Sequence, residues 1–239
     1  MRNNPIEKNF PSITYIANNW PNTKHHLRKF VMSNSKKPDF FKLCFSCLKE
    51  LNVHKLNNHK KTLEELVKIC SQNVNYNTYH DPHHFKSVIV IACLLAKLIN
   101  LNQSDRILLV IIALTHDMNH QGRRIIAKPY YQEDRSSSDL EKIWFKRILN
   151  LKKWKRIQRI FRSTYFPIKP DNVVDDLEKI ILDADVLGSL MFGMESGMKL
   201  AGRLKHEIRF KENTKKLFEG FLNLLENKTL YLDSSKKSC

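Results

Sequence analysis

The chain has 239 residues, 42% of them apolar and 10% aromatic, which suits a sizeable hydrophobic core and excludes a disordered chain. Six glycines and eight prolines are too few for a collagen-like or low-complexity protein. Lys and Arg number 41 against 24 Asp and Glu, a net +17. Such an excess predicts an anionic partner: a phosphorylated small molecule, nucleic acid or an anionic membrane face.

Residues 1–38 are rich in Asn and Lys and broken by Pro5, Pro11, Pro21 and Pro38, which predicts an extended polar arm. No apolar leader stands at the N-terminus. From Asp39 onward the apolar spacing is helical. Asp39 caps a helix carrying Phe40, Leu43, Cys44, Cys47, Leu48 and Leu51, and Thr62 with Glu65 forms a capping box for the next. Cys44 and Cys47 fall inside that helical pattern with no second pair, so they read as core residues rather than a zinc or redox site. With five irregularly spaced cysteines, the chain reads as belonging to a reducing compartment, the cytoplasm.

Two segments are apolar on every side. Asp81-Pro82 opens the first, through Ser87–Ala96, and Ser104 or Asp105 opens the second, Ile107–Leu114. Both stop short of the roughly 20 residues a membrane span needs. A capping box at Ser138 and Glu141 predicts a helix to Leu149, and Ile148–Phe161 continues as an amphipathic one. Asn172 or Asp175 starts a helix ending near Asp183–Asp185, a long helical region covers about 200–225, and 229–239 is a polar tail. The expected architecture is all-α: one compact multi-helix domain over 39–228 with two buried central helices.

Polar residues are costly on buried helices unless paired or metal-bound, and here they are concentrated. The first central helix begins Tyr79-His80-Asp81-Pro82-His83-His84, and the second ends His116-Asp117, followed by Asn119 and His120. A third apolar helix ends Asp183-Ala184-Asp185. One histidine from the first helix, His-Asp from the second and an aspartate from the third suit a zinc, iron, manganese or magnesium ion with positions left for water. Singly, His84 also reads as a surface histidine and Asp117 as a cap.

This H…HD…D order resembles the HD-domain superfamily of metal-dependent phosphohydrolases, and most closely its 3′,5′-cyclic nucleotide phosphodiesterases. Tyr79-His80-Asp81-x-x-His84 is similar to that family's YHNxxH, and His116-Asp117-x-x-His120-Gln121-Gly122 to its HDxxHPG. The segment Asp134–Glu141 is similar to NDxSxLE, and Ala184-Asp185 to the family's AD. The resemblance covers about Tyr79 to Asp185. It implies an HD-domain fold in which His84, His116, Asp117 and Asp185 bind a first divalent ion and Asp117 bridges to a second. A hydroxide held by the two ions would attack phosphorus and convert a cyclic nucleotide to its 5′-monophosphate, with His80 as proton donor. His120, Glu141 and Asn119 would surround the second ion, and Tyr79 and Arg123 would reach the substrate.

The resemblance also sets limits. Asn119 replaces an acid, Lys142-Ile143 replace paired histidines, and Thr164-Tyr165 stand where the family has Thr-Asp. No glutamine follows Asp185 to fix a base, and Phe210, Phe218 and Phe221 fit a helix core as readily as a stacking role. An HD hydrolase of other specificity (nucleotidase, deoxynucleotide or alarmone hydrolase) therefore stays open, as does a basic nucleic-acid-binding protein with a structural metal. Lys152–Arg162 forms the basic face that would serve nucleic acid or acidic lipid, but Trp154 and Phe161 fall on the apolar side of that helix, which speaks against stacking on single strands. The expected partner is a small phosphoester.

Overall fold

Asp81 accepts hydrogen bonds from the backbone N–H groups of His83 and His84 and is followed by Pro82 in the first turn, so the helix Pro82–Leu98 starts where the sequence marks it. In the computed structural model, which describes residues 10–33, 38–73, 77–122, 128–144, 150–165, 173–226 and 230–237, this helix is the axis of the molecule. Twelve α-helices and no strand occur among the described residues. They are α1 Ile13–Asn18, α2 Lys24–Val31, α3 Phe40–Glu50, α4 Lys60–Asn73, α5 Pro82–Leu98, α6 Gln103–Thr115, α7 Tyr131–Trp144, α8 Leu151–Ser163, α9 Asp176–Leu190, α10 Met194–Ile208, α11 Thr214–Glu226 and α12 Asp233–Lys236.

Helices α5, α6 and α9 pack against one another, and the all-round apolarity of the first two is explained by neighbours on every side. Val88–Ala96 of α5 and Leu109–Leu114 of α6 are almost wholly buried. Helices α3 and α4 cover one flank, α7 and α8 another, and α10 with α11 builds a smaller apolar cluster around Ala201, Phe218 and Phe221. Cys44, Cys47, Cys70 and Cys93 are buried free thiols in the main core. No described helix is long and apolar enough to cross a membrane.

Among the described residues before 38, the chain is not the extended arm its prolines predict. Residues 13–18 and 24–31 are helical, and Ile13, Ile16, Leu27 and Val31 enter the main core. Four such side chains outweigh the poor local signal, at about 1.5–3 kcal/mol each when fully buried. The buried Lys86 of α5 donates its ammonium to the carbonyls of Phe30 and Ser33, at 3.1 and 2.6 Å, and so holds the end of α2. The polar tail also docks. Leu230 and Leu232 are buried, and the N–H groups of Tyr231 and Leu232 each donate to the Asp183 carboxylate at 2.8 Å.

Several boundaries move for local reasons. Asn102, not Ser104 or Asp105, caps α6 by accepting from the Asp105 N–H. Helix α7 begins at Tyr131, seven residues before Ser138, and turns Ser136 and Ser137 inward. Helix α9 continues past Asp185 to Leu190 because Leu187 still finds apolar neighbours. The region 200–225 is two helices, separated where Arg209 adopts φ +53°. On α8, Trp154, Ile157, Ile160 and Phe161 are buried as the spacing predicts. Its arginines are committed to acids: Arg156 pairs with Asp105 and Asp175, Arg159 with Asp175 and Glu178, and Arg162 with Asp134.

Candidate metal centre

The packing of α5, α6 and α9 brings together the start of α5, the end of α6 and an inner turn of α9. His84 lies in the first turn of α5, His116 and Asp117 follow directly on α6, and Asp185 lies on α9. His84 Nε2 is 3.5 Å from Asp117 Oδ2 and 3.3 Å from Asp185 Oδ1. His116 Nε2 is 3.1 and 3.9 Å from the same two atoms. Donors bound at about 2.1 Å to one ion sit roughly 3.0–3.4 Å apart, so these separations fit a shared cation.

The chemistry of the donors fits as well. Both Nε2 atoms are buried and have no hydrogen-bond partner among the described residues, a costly state unless something else occupies their lone pairs. His116 Nδ1 lies 3.0 Å from the Ala113 carbonyl. A carbonyl can only accept, so the proton sits on Nδ1 and the Nε2 lone pair faces the cluster, the usual support of a metal-binding histidine. Burial opposes charge on His84, yet Asp117 and Asp185 outweigh it and lift its pKa to about 10. Burial likewise opposes ionisation of Asp117, while His116 and His80 hold it well below the usual carboxylate range. Two carboxylates in this space call for positive charge, and a divalent ion supplies it without protonating the imidazoles. The four side chains form a group able to hold a metal ion.

A second group adjoins it: His80, His120 and Glu207. The Glu207 Oε2 atom accepts the backbone N–H groups of Tyr79 at 2.6 Å and His80 at 3.0 Å, and Oε1 hydrogen-bonds His80 Nδ1. These bonds offset the cost of burying Glu207 and bring its pKa down to about 2. The other ring nitrogen, His80 Nε2, points back to Asp117 at 3.6 Å. His80 therefore links the two groups, one nitrogen to each.

The remaining expected residues separate. His120 stacks on His80, with centroids 3.7 Å apart, rather than standing beyond Asp117. Asn119 donates to Asp139 at 2.6 Å and so braces the loop to α7. Glu141 belongs to neither group. Tyr79 is buried with its hydroxyl on Ser189, so it packs behind His84 instead of reaching outward. Arg123 lies outside the described residues.

Sequence reading missed Glu207. It falls three residues after Leu204 and seven after Leu200, an acid on the apolar stripe of a helix, and that misplacement is the signal that could have found it. It also missed Glu133, whose Oε2 is buried without a partner. Burial pushes its carboxyl up to about 7, with Asp117, Asp134 and Asp185 adding to the shift. No protein-family model, no curated protein and no solved structure matches the chain.

Proposed function

We propose that this protein is a metal-dependent phosphoric ester hydrolase of the HD-domain kind, acting in a reducing compartment such as the cytoplasm, whose substrate is a 3′,5′-cyclic nucleotide. The observation that carries the reading is the placement of His80. One imidazole nitrogen faces the four-residue cluster across 3.6 Å, and the other is held by a buried carboxylate. A structural metal site needs neither.

His84, His116, Asp117 and Asp185 would hold the divalent ion, with zinc, manganese, magnesium and iron all compatible with two imidazoles and two carboxylates. Bound there, the ion would supply Lewis acidity and lower the pKa of its water. The chain's own part is proton delivery. As water loses one proton to solvent and its oxygen bonds phosphorus, the P–O3′ bond breaks and His80 Nε2 gives its proton to the departing 3′ oxygen. Glu207, fixed by two backbone N–H groups, keeps Nδ1 protonated and stabilises the imidazolium before transfer. The arginines of α8 that pair with acids reduce the basic face left for nucleic acid, so a phosphoester substrate accounts better for the anionic partner that the +17 charge predicts.

The test is hydrolysis of a panel of cyclic AMP, cyclic GMP, mononucleotides, deoxynucleoside triphosphates and a guanosine tetraphosphate-type alarmone, with manganese or magnesium. Cleavage of a cyclic nucleotide is expected, abolished together with metal content by His84→Ala and Asp117→Asn. His80→Ala should depress turnover while metal content survives. No turnover on any compound, with no metal by elemental analysis, would sink the enzyme reading. Cleavage of another member alone would move the substrate assignment to that compound.

A further inference from the structure

The His80, His120 and Glu207 group is more than a proton donor with its support. The two imidazoles lie face to face at 3.7 Å and 26°, so their in-plane nitrogens project side by side. His80 Nδ1 meets Glu207 Oε1, and His120 Nδ1 lies 3.7 Å from that same oxygen. One donor atom from each residue falls within 4.8 Å of the others. The second carboxylate oxygen of Glu207 is committed to two backbone N–H groups, which fixes the position of Oε1, the oxygen that meets His80 Nδ1 and faces His120. Glu207 is 2% exposed, whereas His80 and His120 are 14% and 16% exposed, so the group has a buried base and an approach from outside. His120 Nδ1 accepts the Gly122 N–H at 3.1 Å, a hydrogen bond that an entering ion would displace.

We propose that His80, His120 and Glu207 form a second, inhibitory site for zinc, whose occupation removes His80 from proton transfer. The inhibitory part rests on the hydrolase reading above; the binding part does not. Two imidazoles and one carboxylate oxygen are a set zinc takes readily with a fourth position open to water. Magnesium, which favours oxygen ligands and octahedral geometry, is a poor match. The inhibition follows from where the proton resides. With Nδ1 coordinated, His80 cannot become an imidazolium, and releasing its Nε2 proton would leave a metal-bound imidazolate. That is a far weaker acid than a protonated imidazole. Coordination also takes Oε1 of Glu207 away from His80. A cation at the four-residue cluster would thus activate, and zinc in the adjoining group would inhibit.

Zinc binding is measured by calorimetric titration and elemental analysis on the full chain in four forms: wild type, His84→Ala, His84→Ala with His120→Asn, and His84→Ala with Glu207→Gln. Circular dichroism checks that each is helical. Wild type should bind two equivalents and His84→Ala one. The remaining equivalent should weaken at least about tenfold in both double variants. Wild type binding a single equivalent, or retention of the second with unchanged affinity in both double variants, would overturn the site. Should His84→Ala fail to fold, single His120→Asn decides: one equivalent supports the site and two refute it. In the magnesium-supported assay, zinc should lower the wild-type rate at least about tenfold and leave His120→Asn within about twofold of its own zinc-free rate. Equal inhibition of both would refute the inhibitory role. Absence of any phosphoesterase activity would refute the hydrolase reading, while the stoichiometry still decides whether the zinc site exists.

Discussion

Asp183 and Asp185 stand two residues apart on α9 and serve different ends of the molecule. Asp183 accepts the N–H groups of Tyr231 and Leu232, both at 2.8 Å, whereas Asp185 lies 3.3 Å from His84 Nε2. Helical geometry accounts for this, since residues two apart point to different faces. Asp183→Ala should cost about 2–3 kcal/mol through two lost charge-assisted hydrogen bonds and leave metal content unchanged. Asp185→Asn should do the reverse, losing metal with a smaller effect on folding. Denaturant melts with elemental analysis separate the two. Equal metal loss in both variants would show that the pair does not divide its work this way.

Arg156 joins α8 to the starts of two other helices through Asp105 and Asp175, at 2.6–2.9 Å. Burial opposes ionisation of both acids, but Arg156 holds each below its ordinary pKa. A folded-state pKa below the unfolded value means stability that is present above about pH 4 and lost as pH falls through the folded pKa. Arg156→Met should cost about 2–3 kcal/mol at pH 7, less than a fully buried pair because the Arg156 side chain is 28% exposed. The gap between variant and wild type should narrow below about pH 4, as wild type loses the linked stability. Urea melts across this range would show it, and a gap that stays constant with pH would count against the ion pairs as its source.

Glu133 offers an unpartnered oxygen close enough to Asp117 and Asp185 to feel their charge. It stands outside the four-residue group, so Glu133→Gln should leave metal content intact. A drop in kcat/KM of about a hundredfold is expected, with its carboxyl contacting substrate or a reacting water, the lower end of acid–base assistance. Unchanged kcat/KM would assign the residue to packing alone.

Gly122 is required twice over. Its φ is +65°, and a Cβ placed there would lie 2.2 Å from Asn77 Oδ1. The Asn77 amide also donates to the His120 carbonyl at 2.9 Å, so the crowding would reach the second group. Gly122→Ala should destabilise the fold by about 1–2 kcal/mol from backbone strain, with the clash in addition. Adding Asn77→Ala should relieve the clash and not the strain. Full recovery in the double variant would mean that φ is not the constraint.

The four-residue cluster was legible because polar residues interrupt or border buried apolar runs, where they have no packing explanation, and because their order resembles a known family's motifs. Asp81-Pro82 gave the start of α5 for the same local reason, and Trp154 and Phe161 gave the buried face of α8. Helices α1 and α2 were not legible: they are six and eight residues long, lie between prolines, and depend on burial of Ile13, Ile16, Leu27 and Val31 against other helices. The C-terminal segment hid for a similar reason, since two leucines and two backbone N–H groups carry no periodicity. Glu207 was missed because its partners, Tyr79 and His80, lie 128 and 127 residues earlier. No local pattern records that crossing.

That crossing also orders events during synthesis. His84, His116, Asp117 and Asp185 have all been made by the time α9 is being translated, whereas Glu207 arrives a helix later. A nascent chain released as far as Leu190 would therefore carry every donor of the four-residue cluster before it could brace His80. The four candidate donors are thus available to the growing chain first, and the carboxylate that braces His80 arrives only with α10. On the hydrolase reading proposed above, His80 would be braced for proton transfer only after most of the chain has left the ribosome.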